Sequence, residues 1–368
     1  MSYPWGYFYP NELVEGAGYG TIVWLPIIAV YMTMIALASG SFILLSLGSL
    51  LDNRFIARIS PVLFSAGLAL ALVYLLGPLA DLRRPDQFYR ILTGPHILPS
   101  SSHPGISMIA LIATVMWPLL LILAILLALA TGLLPRFKVT LSKPVVKLIA
   151  FLLLIVAIVW STYPALLLFT SVYVMTVYNF LPLLPLEAML QSIAVGAGLA
   201  AALMTAHRLK AGGEEVRLLA LFITAATGAY VFFRFVELLR LRVYTGGGGV
   251  AETLLEALEP YSTIVLVLAL VIFALGALGI ARPSRETLAL AGILGILWVL
   301  VDRWVVVVNT QTVSRTLLAV IPAEISLGAW VLESIGMVLL SIGIYLVLAW
   351  YIVPVRVEGA GAGGGSGE

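Results

Sequence analysis

The 368-residue chain is 62% hydrophobic and only 10% charged, with a mean hydropathy of +1.11. An ordinary soluble domain carries roughly a quarter charged residues, so this composition is that of a polytopic membrane protein. A formal net charge of +2 is too small to argue for nucleic acid, and the absence of cysteine excludes a disulfide, a thiolate-ligated iron–sulfur cluster and a Cys-based zinc site within the chain.

Residues 1–20 contain Trp5, Tyr7, Phe8 and Tyr9, rings suited to the lipid headgroup level. They lack the basic n-region and small-residue cleavage site of a signal peptide, so they are expected to form an interfacial segment ahead of a retained first span. Crossing a bilayer takes about 20 apolar residues. About nine segments qualify, at roughly 21–51, 56–80, 104–134, 145–172, 183–206, 216–241, 261–281, 287–308 and 328–353. The expected fold is therefore all-α, a bundle of about nine transmembrane helices (eight to ten) over 21–353, with a flexible glycine-rich tail over 354–368.

One polar island interrupts the early spans. Gly77 to Gly105 holds Asp81, Arg83, Arg84, Asp86 and Arg90 together with His96 and His103. Pro85, Pro95, Pro99 and Pro104 crowd it, which predicts a short interfacial helix over Asp86 to Leu92 and an ordered loop rather than a span. Sorting basic residues by loop places Arg54, Arg58, Arg136, Lys138, Lys143, Lys147, Arg208, Lys210, Arg217, Arg282, Arg285 and Arg356 on one side. By the positive-inside rule that side is cytoplasmic. The N-terminus and the 77–105 loop are then outside and the C-terminus inside.

Charges within spans are costly and usually face the bundle interior or a water-filled cavity. At 1.5 Å per residue, Arg234 and Glu237 lie about 27–32 Å along the sixth segment, and Asp302 and Arg303 about 22–24 Å along the eighth. Glu333 is about a turn into the ninth, and Tyr163, in WSTYP, lies about 27 Å along the fourth beside a helix-loosening proline. All fall in the outer half, so a bound polar molecule is expected near the outer face. Plainer readings stand beside this one. Arg234 and Glu237 share a helical face and could neutralise each other, Tyr163 could be an ordinary interfacial tyrosine, and His96 and His103 could be simple loop residues. Arg303 and Asp302 are adjacent and do not share a face, so each is expected to find its partner elsewhere.

The three histidines, His96, His103 and His207, fall at loops or helix ends, which argues against axial haem ligation. No Gly-rich loop ending in GK[ST] and no HExxH occurs, so neither nucleotide hydrolysis nor the usual zinc protease chemistry is indicated.

The stretch ADLRRPDQFYRIL, followed by a proline-containing loop and a new span, resembles the DLGRP-type motif of the NrfD/polysulfide reductase membrane-subunit family. WLPIIAVYMTMIALASGSF resembles its small-residue-rich opening helix and STYPALLLF its Tyr-Pro/Gly-Leu-Leu signature. DRWVVVV with IPAEISLGAWVLESIGMVLL resembles the last helices of the larger members, such as the membrane subunits of certain hydrogenases and of alternative complex III. The resemblance implies a haem-free subunit of a respiratory oxidoreductase complex that binds menaquinone or ubiquinone near the outer face. It also implies an extrinsic four-cluster ferredoxin-like iron–sulfur partner serving a molybdopterin or hydrogenase catalytic subunit.

Carried over by residue, Tyr163 matches the tyrosine that bonds a quinone carbonyl, and Asp81, Arg84 and Pro85 match the DLGRP motif, with Arg83 in place of its glycine. The second carbonyl partner is left open among His103, His96, Asn11 and Tyr31. Proton-relay candidates are Asp81, His96, His103, Glu237, Asp302 and Glu333, and Arg83, Arg84 and Arg90 are candidates for docking the extrinsic subunit. Arg234 and Arg303 are intramembrane charges of structural or functional use. A secondary transporter and a purely structural anchor are the alternative readings.

Overall fold

The computed structural model describes residues 26–81, 111–134, 136–137, 139–163, 165, 182–244, 250–258, 261–309 and 329–353. Among these residues nine helices are long and apolar enough to cross a membrane, and no strand occurs. In chain order the elements are α1 Ile27–Leu50, α2 Arg54–Val73, α3 Leu76–Asp81, a π-helical turn Ile112–Met116 leading into α4 Trp117–Ala130, α5 Lys143–Ser161, α6 Leu184–Ala206 and α7 Gly213–Tyr244. The short α8 Val250–Leu258, α9 Tyr261–Ala281, α10 Arg285–Arg303 with a π-helical turn Trp304–Val308, and α11 Ala329–Ile352 complete the order.

The first helix is apolar on every face and almost wholly buried, as expected of a helix at the centre of a bundle. It packs against α2, α5, α6 and α10. Small residues make this possible. A Cβ on Gly40 would stand 2.0 Å from the Ser192 carbonyl oxygen and 2.8 Å from Gly196 Cα, and one on Gly198 would stand 2.4 Å from Gly292 Cα. The backbones of α1, α6 and α10 thus meet at glycine, the close approach that drives helix association in lipid, where apolar burial offers little. Serine and threonine hydroxyls in the buried faces turn back on their own helices: Thr33 Oγ1 donates to Ala29 O at 2.7 Å, Ser41 Oγ to Leu37 O at 2.8 Å and Ser192 Oγ to Ala188 O at 2.9 Å. Each satisfies a group that would otherwise be costly away from water.

The helix ends follow local chemistry. Asn53 caps α2 by accepting Ile56 N at 3.0 Å, and Ser284 caps α10 by accepting Thr287 N at 3.2 Å. Pro118, Pro144 and Pro185 occupy the first turns of α4, α5 and α6, where a missing N–H costs nothing. At about 48 Å, α7 outruns a hydrocarbon layer of about 30 Å and emerges at its ends.

One end of the bundle is basic and tied by surface contacts. Arg58 pairs with Glu215, Arg285 Nη1 donates to Leu209 O, and Arg217 Nε donates to Ile280 O at 3.2 Å. Asp52, in the α1–α2 turn, lies 2.9 Å from Lys147 Nζ and 3.1 Å from Lys143 Nζ. Hydrogen bonds from Lys147 and then Lys143 hold its carboxyl below the usual carboxylate range.

Candidate functional site

The opposite end gathers two polar assemblies. In the first, Arg234 of α7 lies between α6 and α10. Its Nη2 donates to Asp302 Oδ1 at 2.8 Å and lies 2.8 Å from Glu187 Oε2. Asp302 collects three further donors, from Tyr230 Oη at 2.9 Å, Gln191 Nε2 at 2.8 Å and Arg303 Nη1 at 3.1 Å. Glu237, one turn beyond Arg234, accepts Leu183 N through Oε1 at 2.6 Å. Glu187, Gln191, Tyr230, Arg234, Glu237, Asp302 and Arg303 are each no more than 2% exposed, so this is a buried ionic network rather than a set of rim charges. The ring of Tyr230 lies under the Arg234 guanidinium at 5.4 Å and edge-on to Trp298 at 4.7 Å, which gives the cation a further favourable face.

Two sequence expectations are corrected here. Arg234 does not neutralise Glu237 alone. Its closest carboxylates are Glu187 and Asp302 on neighbouring helices, because helix crossing offers shorter routes than the i, i+3 path along one helix. Arg303, against expectation, has its neighbour Asp302 as a partner at 3.1 Å, whereas Asp302 does find others elsewhere, in Gln191, Tyr230 and Arg234. Local pattern did not single out Glu187, Gln191 and Tyr230. The available signal was Glu187 and Gln191 at i, i+4 on one face of an otherwise apolar α6.

The second assembly lies across α1. Tyr163, just past the end of α5 and three residues on from Trp160, is 2% exposed; Tyr74 lies just past the end of α2. Tyr74 meets Trp160 edge-on at 5.1 Å, and both rings are buried. Neither Tyr74 Oη nor Trp160 Nε1 has a well-formed hydrogen bond to the protein, a costly arrangement for two buried donors. Tyr31 of α1 is buried as well, and the backbone of Gly77 presses on it so closely that a Cβ there would stand 2.2 Å from its ring. α3 ends at Asp81, the first residue of the DLRRP stretch; the Asp81 side chain lies outside what is described. So do Asn11, Arg83, Arg84, Arg90, His96 and His103 and the expected helix over 86–92. Glu333 rides on α11, which packs on α2, α1 and α3, and takes no part in the Arg234 network.

The geometry thus presents a tyrosine-lined end of the bundle beside a buried ionic network, with the basic loops at the far end. Against known sequences, the family described as Polysulphide reductase, NrfD matches residues 16–315. The chain belongs to the NrfD family. A similar curated protein is one of the subunits of the tetrathionate reductase of Archaeoglobus fulgidus, 29% identical over 375 residues, covering 97% of this chain and 98% of that protein. As in other family members, the chain is a multi-pass membrane subunit. Among the described residues no group of three or more His, Asp or Glu side chains is placed to hold a metal ion.

Proposed function

We propose that this NrfD-family chain is the quinone-reactive membrane subunit of a respiratory reductase complex. The quinone ring would bind at the end of the bundle where Tyr163, Tyr74 and Tyr31 gather. Electrons would pass through an extrinsic ferredoxin-like iron–sulfur subunit to a molybdopterin catalytic subunit. The likeness to a tetrathionate reductase subunit favours a sulfur oxoanion acceptor over a hydrogenase partner.

The observation that carries the reading is the buried Tyr163 with Tyr74 and Trp160 beside it. The Tyr74 hydroxyl and Trp160 N–H are donors without a well-formed bond, and a quinone carbonyl is an acceptor that suits them. A bound menaquinone or ubiquinone supplies two-electron, two-proton redox chemistry, which the chain itself, having no cysteine, cannot replace with a thiolate-ligated cluster. Tyr163 holds the ring, Tyr31 walls it, and Asp81, His96 and His103 are the candidates to exchange protons with outside water. Arg83, Arg84 and Arg90 offer positive charge to the extrinsic subunit. The basic loops at the far end support an orientation with that end in the cytoplasm and the tyrosine end outside.

Polar groups at one end rather than at mid-depth favour this reading over a secondary transporter. The test is Tyr163→Phe in the assembled complex. Quinol-linked turnover is expected to fall on the order of tenfold or more while turnover with an artificial donor to the catalytic subunit is retained. Unchanged quinol turnover overturns the assignment, and purified chain that never carries quinone favours a structural anchor.

A further inference from the structure

We propose that Arg136, stacked on Tyr351, is a headgroup site for an anionic phospholipid in the leaflet at the basic end of the bundle, and that the bound lipid fastens the α4–α5 loop to α11. Two elements far apart in the chain build the site. Gly132, at φ 73°, closes α4: Leu133 N donates to Ala128 O at 2.9 Å and Gly132 N to Leu129 O at 3.2 Å, the paired bonds of a helix that ends on a left-handed glycine. The loop that follows sets the Arg136 guanidinium over the Tyr351 ring, 5.4 Å from its centroid. Tyr351 is the last residue but one of α11 and lies about 33 Å from that helix's start. A hydrocarbon layer is about 30 Å thick, so the stacked pair stands at headgroup depth.

Charge pairing singles out Arg136. At this end Arg58 pairs with Glu215, Arg217 with Glu214, and Lys143 and Lys147 share Asp52. Arg136 is exposed, and among the described residues no carboxylate pairs with it. Tyr351 occupies one face of its planar guanidinium and holds it in place. The N–H edge stays free, and that edge matches two oxygens of a phosphodiester. The surroundings suit a lipid rather than a soluble anion. Phe137, Trp350 and Tyr351 are 62%, 81% and 59% exposed, and such rings belong at the boundary of headgroups and acyl chains. An anionic headgroup is favoured over a zwitterionic one by the same inventory. Arg136 already takes the face of Tyr351, and no carboxylate paired with Arg136 is at hand to hold a headgroup ammonium.

The site stands apart from the tyrosine end, and its test involves no quinone. The full chain in detergent micelles is titrated with phosphatidylglycerol or phosphatidylcholine of identical acyl chains, and bound lipid is counted by native mass spectrometry. Phosphatidylglycerol should be retained about fivefold better, the weight of one basic residue near an anionic surface. Arg136→Gln should bring it down to the level of phosphatidylcholine, and Tyr351→Leu should lower it in the same direction. Lys143→Gln, which removes a partner of Asp52, should change it by less than about twofold. Phosphatidylglycerol should also slow hydrogen exchange in the α4–α5 loop of wild type and not of Arg136→Gln. All three substitutions fall on exposed side chains, so folding is not at stake. Equal retention of the two lipids, Arg136→Gln without effect, or loop exchange indifferent to lipid overturns the proposal. So does a loss in Lys143→Gln as large as in Arg136→Gln, which would mean diffuse attraction, or displacement of the lipid by equimolar glycerol phosphate, which would mean a site for a free anion.

Discussion

Replacing Arg234 by methionine keeps a long flexible chain but removes the cation that joins Glu187 on α6 to Asp302 on α10. Breaking a buried ion pair by deleting one partner costs about 3–5 kcal/mol when the other charge is stranded. Asp302 is not stranded here, since Tyr230, Gln191 and Arg303 still donate to it at 2.9, 2.8 and 3.1 Å. Glu187 can take up a proton instead of remaining ionised. The expected loss is thus that of one hydrogen bond to a charged group, about 1.5–3 kcal/mol, well above the average of about 0.6 kcal/mol for polar contacts between membrane helices. Asp302→Asn should cost more, because it strips Arg303 of its carboxylate partner and leaves Arg234 with Glu187 alone, and Arg303 Nε and Nη2 already lack partners. Unfolding in mixed micelles, followed by tryptophan fluorescence, measures both; Trp298 packs on Tyr230 and reports locally. A loss below about 0.5 kcal/mol for Arg234→Met, or a smaller loss for Asp302→Asn than for Arg234→Met, would refute the reasoning.

Gly40→Ala places a methyl 2.0 Å from the Ser192 carbonyl and should destabilise by about 1–3 kcal/mol in the same assay. Gly336→Ala, with nothing within 4 Å of the added carbon, should be neutral or stabilising. Tyr74→Phe removes a buried hydroxyl that has no well-formed bond, so unfolding free energy should stay within about 0.5 kcal/mol while quinol-linked turnover falls. At the basic end, Lys147 and Lys143 depress the Asp52 carboxyl, so the native chain binds that proton less readily than the unfolded chain. The stabilisation is full above the unfolded value of about 3.9 and is lost as pH falls through the lowered native value. Because the site is exposed, salt should weaken the effect, and Asp52→Asn should remove it from the acid limb of a pH–stability profile.

The spans were legible because lipid leaves few options: an apolar run of sufficient length must be a helix, and the structure gives α1 over Ile27–Leu50 and α9 over Tyr261–Ala281 close to where hydropathy puts them. The crowding of Arg234, Glu237, Asp302 and Arg303 at the end opposite the basic loops was legible from depth alone. Their partners were not. Glu187, Arg234 and Asp302 are far apart along the chain, and no local periodicity says which faces of α6, α7 and α10 meet. Glu187 in particular sits in a first turn, where a carboxylate is ordinarily explained by the helix dipole; only the crossing of α6 with α7 shows that it is buried.

The glycine contacts explain how two polar assemblies can coexist at one end of an apolar bundle. Gly40 against Gly196, and Gly198 against Gly292, bring α1, α6 and α10 to backbone contact nearer their middles. The ends of α6 and α10 away from the basic loops carry the ionic network, and α1 carries Tyr31 against Gly77 of α3. A shift of α1 along its axis is resisted by the Gly40–Ser192 approach, so the spacing between the tyrosine wall and the Arg234 network is fixed by backbone rather than by side-chain adjustment. Under the proposed function that rigidity matters, because Tyr31 on α1 and Tyr74 and Tyr163 on its neighbours must keep a constant separation to hold one ring. A bulky substitution at Gly40 should then lower quinol-linked turnover even when the variant folds, although it touches neither assembly.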